Sequence, residues 1–301
     1  MSRPEDATTT VFEAHRSRLT RLAYRMLGSL SEAEDVVQDA WLRWRSVDMA
    51  GVQNAGAFLS RTVTRLCLDQ MKSARVRRET YVGAWLPEPL IAVEAEEPMQ
   101  DDLTLTLMLA LERLSPLERA AFLLHDVFGV GLDEVAGTLD REPAAVRQLA
   151  VRARRHVQEA RPRYPVPQEE GDRIAQAFFN ATRSGDLDVL QGLLAESVVI
   201  RADGGGKVLA FINPIVGIER AIRLYKGLFR KEILQDAAMV RPMWIDGLPG
   251  YVSRERGGVL QTTAFEIEDG RIVAVYITRN PDKLGRVTQA LSAMPGATGA
   301  H

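Results

Sequence analysis

The tetrad Ser115-Pro116-Leu117-Glu118 constrains this chain more than any other short stretch. Serine with glutamate three residues on can satisfy two orphan helix N–H groups reciprocally, and proline at the first helical position needs no N–H partner. A helix is expected to start there. Leu117, Ala121, Leu124 and Phe128 then recur at helical spacing, and Gly129 and Gly131 stop it. A second short helix is expected over Leu132–Leu139, with Val135, Ala136 and Leu139 apolar. Asp140-Arg141-Glu142 turns the chain, with Asp140 where glycine is commonest, and Pro143 opens a third helix that turns Val146 and Leu149 inward. Two short helices across a tight turn make a helix-turn-helix, whose second member can enter a DNA major groove. Its outward face carries Ala144, Arg147, Gln148, Val151, Arg152, Arg154 and Arg155. Arginine and glutamine can bond bidentately to guanine and adenine edges. The apolar positions alone would suit any three-helix packing unit; the basic run favours DNA.

A length of 301 residues suggests two or three domains, and 46% hydrophobic with 26% charged residues is ordinary for a globular protein. No stretch nears the roughly 20 apolar residues of a membrane span. The N-terminus lacks a signal-peptide core, and a single cysteine, Cys67, excludes an internal disulfide and a cysteine-cluster zinc site. A cytoplasmic setting, no cofactor and no metal are expected. The net charge of −2 is misleading, because charge is segregated. Arg61, Arg65, Lys72, Arg75, Arg77 and Arg78 stand against Asp69 alone, and seven arginines lie between Arg141 and Arg163. Between these blocks Tyr81–Asp102 is acidic, with no basic residue.

Taken in order, Val11–Leu27 reads as an amphipathic helix ended by Gly28. Ser31-Glu32-Ala33-Glu34 reads as a second capping box, opening a helix to about Arg45. Val36, Val37, Ala40, Trp41 and Trp44 share one face of it. Asp35, Gln38, Asp39 and Leu42 form another, an acidic stripe with one apolar member that suits a basic partner helix as readily as solvent. After a Val47–Gly56 loop containing Asn54, Ala57–Arg78 reads as a long helix, apolar on one side and basic on the other. Trp41, Trp44 and Phe58 bracket the loop; aromatics beside a basic helix suit unstacked bases, though each ring alone is as well explained as core.

Tyr81–Gln100 is a linker with Pro87, Pro89 and Pro98, so an extended path rather than a floppy tether is expected, before a helix over Leu103–Leu114. Pro162–Pro167 marks a second boundary. Beyond it, helices are expected over Asp172–Thr182, Asp186–Leu194 and Gly217–Phe229. Strands are expected over Glu196–Arg201 and Lys207–Ile212, then near Ala238–Ile245, Gly250–Glu255, Val259–Ile267 and Arg271–Thr278, with Glu268-Asp269-Gly270 a hairpin turn. Helices followed by a curved antiparallel sheet make an α+β domain.

Residues 1–160 together resemble an extracytoplasmic-function sigma factor of the minimal two-domain kind. Ala33-Glu34-Asp35-Val36-Val37-Gln38-Asp39-Ala40-Trp41 is similar to the family segment that binds the clamp helices of the polymerase largest subunit, which gives the stripe Asp35, Gln38, Asp39 and Leu42 a partner. Phe58–Arg78 resembles the part that melts and reads the −10 element, implicating Trp44, Asn54, Phe58, Arg61, Arg65, Lys72, Arg75, Arg77 and Arg78. Pro143–Arg155 resembles the helix that reads the −35 element. The resemblance implies core RNA polymerase (clamp helices and flap) and promoter DNA as partners, and no membrane. The remaining residues resemble a SnoaL-like domain of the NTF2-like superfamily, a cone enclosing a pocket able to take a small hydrophobic ligand. Three runs sharpen the match to sigma factors carrying such an extension, which is thought to act as a built-in regulator. They are Trp85-Leu86-Pro87-Glu88-Pro89-Leu90, Asp203-Gly204-Gly205-Gly206-Lys207 and Asn280-Pro281-Asp282-Lys283-Leu284. Trp85, Pro87 and every residue of the last two runs are the candidate regulatory contact.

The implied architecture is multidomain. Two all-α sigma domains, a region 2 helical bundle at 1–80 and a region 4 helix-turn-helix at 103–164, flank a linker at 81–102, and an α+β SnoaL-like cone follows at 168–301. Catalysis is not expected. The only histidine beyond residue 156 is His301, and Asp203, Asp246 and Glu266, the candidate carboxylates, all suit turns or surface and form no paired constellation. The alternatives are a ligand-responsive helix-turn-helix regulator, which would leave the acidic and basic helices of residues 11–78 without a use, and a SnoaL-like enzyme fused to a DNA-binding module.

Overall fold

The computed structural model describes residues 4–48, 51–79, 81–91, 105–158 and 166–293, with side chains described from residue 8 and not over 73–79. It divides into two compact units, one of residues 1–79 and 107–161, the other of 80–106 and 162–301.

In the first unit, α1 (Pro4–Leu27), α2 (Leu30–Trp44) and α3 (Ala55–Glu79) form a bundle. Gly28 ends α1 at φ +73°. The cap of α2 is Ser29 rather than Ser31: Ser29 is extended and its hydroxyl accepts the Glu32 N–H, so the helix begins a residue before the expected box. Asn54 caps α3 by accepting the Ala57 N–H at 3.0 Å. Trp44 is fully buried, donates Nε1–H to Thr8 O at 3.0 Å and packs its ring 5.6 Å from Phe58.

Helix α4 (Leu105–Glu112) leads to α5 (Pro116–Phe122), whose Ser115–Glu118 capping box is closed in both directions. A π-helical turn, Leu123–Val127, follows, so the expected continuous helix to Phe128 loosens before Gly129 at φ +69°. Then come α6 (Leu132–Leu139) and α7 (Pro143–Gln158), with Asp140 left-handed at φ 54° between them. Arg119, 1% exposed, ties the helix-turn-helix to the bundle. It donates to Leu111 O at 2.8 Å, to Met26 O at 2.7 Å near the C-terminus of α1, and to Glu112 at 2.7 Å. A cation there also meets the negative end of the α1 dipole. Arg18 adds a bond to Phe128 O at 3.1 Å and lies over that ring.

In the second unit, α8 (Gln168–Ser184) and α9 (Leu187–Leu193), separated by Gly185 at φ +73°, pack with α10 (Ile218–Arg230) on a six-stranded sheet. The strands are β1 (Leu194–Asp203), β2 (Ile215–Val216), β3 (Ala238–Ile245), β4 (Leu248–Arg254), β5 (Leu260–Glu268) and β6 (Arg271–Thr278), in the order β2-β1-β6-β5-β4-β3. The sheet is mixed, not antiparallel throughout, because β1 pairs β6 in parallel. Lys207–Ile212 is not a strand. β1 already has β6 on one edge and β2 on the other, so the returning chain has no edge to join. Asp246-Gly247 and Asp269-Gly270 turn their hairpins with both residues at positive φ. After β6 come a 3₁₀ turn, Pro281–Lys283, and α11 (Gly285–Ala293). The core centres on Phe178, Tyr225, Tyr251 and Phe265, with Phe178 edge-on to Tyr225 and Phe265. Two all-α modules and an α+β cone are therefore the architecture.

Candidate functional site

In the second unit the carboxylate of Asp203, at the end of β1, is fully buried and accepts four hydrogen bonds. Its Oδ1 accepts from the Tyr81 hydroxyl at 2.5 Å and the Gly205 N–H at 3.0 Å. Its Oδ2 accepts from the Leu86 N–H at 2.9 Å and Lys283 Nζ at 2.7 Å. Lys283 Nζ also donates to Leu86 O and lies 4.2 Å from the Trp85 ring centroid. Asn280 closes the group, donating its side-chain amide to Tyr81 Oη at 2.9 Å and its backbone N–H to Asp203 O at 3.0 Å. The three separate runs thus converge on one buried carboxylate. Every donor that desolvated Asp203 needs is present, which is the condition under which a buried ion pair is tolerable.

Glycine is required at the turn. Gly205 sits at φ +62°, and a Cβ on it would lie 2.4 Å from the Asn280 side chain. Lys207 reaches Asp282 at 2.6 Å, an exposed pair worth little by itself. Pro281 opens the 3₁₀ turn and Leu284 is buried behind it. Along the linker, Leu86, Pro87, Glu88 and Pro89 are buried. Its far end is held by Asp246, which accepts the Leu90 N–H at 3.2 Å and donates its own N–H to Leu90 O at 2.8 Å. Ile91 bridges Ile245. Residues 81–91 are therefore a strap clasped at both ends; the rest of the expected linker, 92–102, lies outside the described residues.

Asp246 stands at a turn, as expected, and Asp203 at the end of β1, but both are buried. Tyr81 was not singled out, although it stands four residues before Trp85. Burial pushes its hydroxyl pKa above the usual tyrosine value, and the Asp203 carboxylate adds to the shift. Glu266 accepts from Tyr276 at 2.8 Å, and burial raises its pKa. None of the three proposed carboxylates lines the cavity of the cone; Glu255 does. Among the described residues no His, Cys, Asp and Glu cluster is arranged for a metal, and no helix is long and apolar enough to cross a membrane.

In the first unit, Asp35, Gln38, Asp39 and Leu42 lie exposed on α2, Leu42 at 53%. On α3, Arg61, Arg65 and Lys72 are exposed; Arg65 Nε donates to Thr138 O on α6 at 3.2 Å and Lys72 pairs Asp69. Phe58 is half-buried and Asn54 exposed. Trp44 is corrected to a core residue, since its burial leaves no face for a base. The side chains of Arg75, Arg77 and Arg78 lie outside the described residues. On α7, Ala144, Arg147, Gln148, Val151 and Arg155 are exposed together. Arg152 and Arg154 are drawn into ion pairs with Glu118 at 2.8 Å and Asp126 at 2.5 Å. Burial works against ionised Glu118, but bonds from Arg152 and Ser115 outweigh it and hold its pKa below the ordinary value.

Residues 11–77 match the Sigma-70 region 2 family, and residues 104–157 match the Sigma-70 region 4 family. The chain is 36% identical to the ECF RNA polymerase sigma factor SigJ of Mycobacterium tuberculosis, over 96% of this chain and 97% of that protein. It is 32% identical to the probable ECF RNA polymerase sigma factor SigI of the same organism, over 93% and 95% of the two chains. The crystal structure of M. tuberculosis SigJ superposes with a TM-score of 0.73 at 33% identity, covering 92% of this chain and 98% of that one. Two sigma regions in order, with relatives matched almost end to end, place the chain in the extracytoplasmic-function family of RNA polymerase sigma factors.

Proposed function

We propose that this sigma factor recruits core RNA polymerase through α2, reads promoters through α3 and α7, and is restrained by the clasp on its linker. Asp35, Gln38, Asp39 and Leu42 would meet the clamp helices, and the helix-turn-helix module the flap. Asn54, Phe58, Arg61, Arg65, Lys72, Arg75, Arg77 and Arg78 would serve the −10 element. Ala144, Arg147, Gln148, Val151, Arg152, Arg154 and Arg155 would serve the −35 element. The working divisions are 1–80, 81–102, 103–164 and 168–301, the last a non-catalytic regulator whose cavity takes a small hydrophobic ligand. A transcription role assigns the protein to the cytoplasm.

The observation that carries the regulatory reading is the buried Asp203 carboxylate holding Tyr81 and Leu86 of the linker. Residues 81–91 could span about 36–40 Å if extended. Held in the strap, that length is lost to the tether between the two promoter-reading modules, and Arg65 is meanwhile satisfied by α6. Release of the strap therefore favours the promoter-bound arrangement, through contacts that exist in one state and not the other.

Initiation by core polymerase on the promoter upstream of the protein's own gene tests both parts. The full chain, its Asp203→Asn variant and a truncation ending near Tyr164 are compared. A defined transcript that requires the protein, and rises with Asp203→Asn, supports the proposal. Equal yields from the full chain and Asp203→Asn would remove the clasp as a restraint. No transcript from any of them would favour a ligand-responsive DNA-binding regulator.

A further inference from the structure

The cone encloses a cavity of about 280 Å³, near the lower end of the roughly 300–1,000 Å³ usual for small-molecule sites. Its walls are largely apolar and carry the rings of Phe178, Phe179, Phe211, Tyr225 and Tyr251. Against this apolar lining stand Glu255 and Arg279. Glu255, 6% exposed, accepts from the Ser253 hydroxyl at 2.6 Å, and burial raises its carboxyl pKa despite that bond and the attraction of Arg279. Arg279 donates Nη1–H to Leu209 O at 2.8 Å, while its buried Nε–H finds no partner among the described residues. The two charges influence each other, yet among the described residues neither closes an ion pair within 4 Å. The hydroxyl of Tyr225, which is 5% exposed and also lines the cavity, is buried without a hydrogen-bond partner among the described residues. Unsatisfied buried donors beside an apolar cavity are costly unless something fills it.

We propose that this cavity binds an uncharged amphipathic small molecule, an apolar ring system with one polar end that accepts from Arg279 and donates to Glu255, and that the linker clasp reads its occupancy. An anion would satisfy Arg279 but face Glu255, and a cation would do the reverse. A neutral group with donor and acceptor side by side suits both. The path to the clasp is one residue long at the ends of two strands, within β1 and just past β6. Ala202 lines the cavity and Asp203 follows it; Arg279 lines the cavity and Asn280 follows it. Arg279 N–H itself donates to Asp203 O at 2.8 Å. The Gly204–Lys207 turn runs directly into Leu209–Phe211, which forms part of the cavity wall and leaves Leu209 79% exposed. A ligand that braces this wall braces the clasp. The inference deepens the ligand reading of this cavity proposed above and rests on the regulatory reading for its consequence.

The test uses the full chain and three probes of one shape: 2-naphthol, naphthalene and 2-naphthoate. Calorimetry or fluorescence titration should show one saturable site binding 2-naphthol at least tenfold tighter than either of the others. In Glu255→Gln the order of the polar probes should reverse, with 2-naphthoate gaining at least tenfold relative to 2-naphthol because Arg279 is left unopposed. Tyr225→Phe should weaken 2-naphthol at least threefold without lowering the thermal midpoint, since the lost hydroxyl has no partner in the free protein. Saturating 2-naphthol should slow deuterium uptake across 81–91 and 203–211. No saturable binding, equal affinity for the three probes, or no reversal in Glu255→Gln would overturn the site. Binding without a change in uptake at 81–91 would overturn the readout. Failure of the regulatory reading is separately visible, as binding with the uptake change intact but equal transcription from the full chain and Asp203→Asn.

Discussion

Replacing Asp203 by asparagine keeps the outline of the side chain and removes its charge and one acceptor. The carboxylate now takes two donors on each oxygen, Tyr81 Oη and Gly205 N on one, Leu86 N and Lys283 Nζ on the other. An amide has one acceptor oxygen, so in either orientation two of these donors must face an NH₂ group. With the oxygen turned to Tyr81, the Leu86 N–H and Lys283 Nζ are opposed, and Lys283, 12% exposed, loses its carboxylate. Removing one partner of a buried ion pair costs about 3–5 kcal/mol. At about 1.4 kcal/mol per factor of ten, local opening of the strap should become more frequent by roughly two to three and a half orders of magnitude. Native-state hydrogen exchange at the Leu86 amide measures this directly. The Leu90 amide, bonded to Asp246 at the far end of the strap, serves as an internal reference and should change less. If Leu86 stays as protected as in the native chain, Asp203 does not hold the strap and the regulatory argument built on it fails.

Arg119→Met should cost the first unit about 3–5 kcal/mol, because it leaves Glu112, Leu111 O and Met26 O without their shared donor. Scanning calorimetry should show the transition of that unit lowered while the other is unmoved. Burial raises the hydroxyl pKa of both Tyr225 and Tyr251 above the ordinary value of 10.0. Their contribution is complete below pH 10 and is lost above it, as the unfolded chain ionises and the folded one does not. Each should remove about 1.4 kcal/mol of stability per pH unit there, read by denaturant melts between pH 9 and about 12. Glu255 has a raised folded pKa, so its favourable contribution is present below its ordinary value of 4.5 and lost as pH rises through the folded value. Glu255→Gln should accordingly raise the melting midpoint at neutral pH, with the gain vanishing below pH 4.5.

Local rules carried much of the fold. The Ser115–Glu118 box, the α6 boundaries and the Asp269-Gly270 hairpin were legible because each depends on residues within one turn or one hairpin. The Ser29 cap was misplaced for a related reason: two serines two residues apart both suit the role, and backbone conformation alone chooses between them. Lys207–Ile212 has strand composition, but a strand needs a free edge, and whether β1 has one depends on where β6 lies more than sixty residues later. Trp44 could not be told from a base-stacking ring by its neighbours in sequence; only the packing of Thr8 and Phe58 around it decides.

The regulatory runs show the same division. Their identity as separate runs was visible in the chain, and the glycines at 204–206 announced a tight turn. That Asp203 is a buried hub, that Tyr81 belongs to it, and that Glu255 and Arg279 face the cavity were decided by tertiary structure alone. Sequence by itself determined two helical sigma modules, their exposed charged faces and a mixed domain beyond Pro167, because helix periodicity, caps and turns are short-range. Contacts such as Tyr81 to Asp203 and Lys283 to Leu86 span 122 and 197 residues. At that separation no local preference selects a partner, and only burial, which makes each lone donor or charge costly, brings the matching groups together.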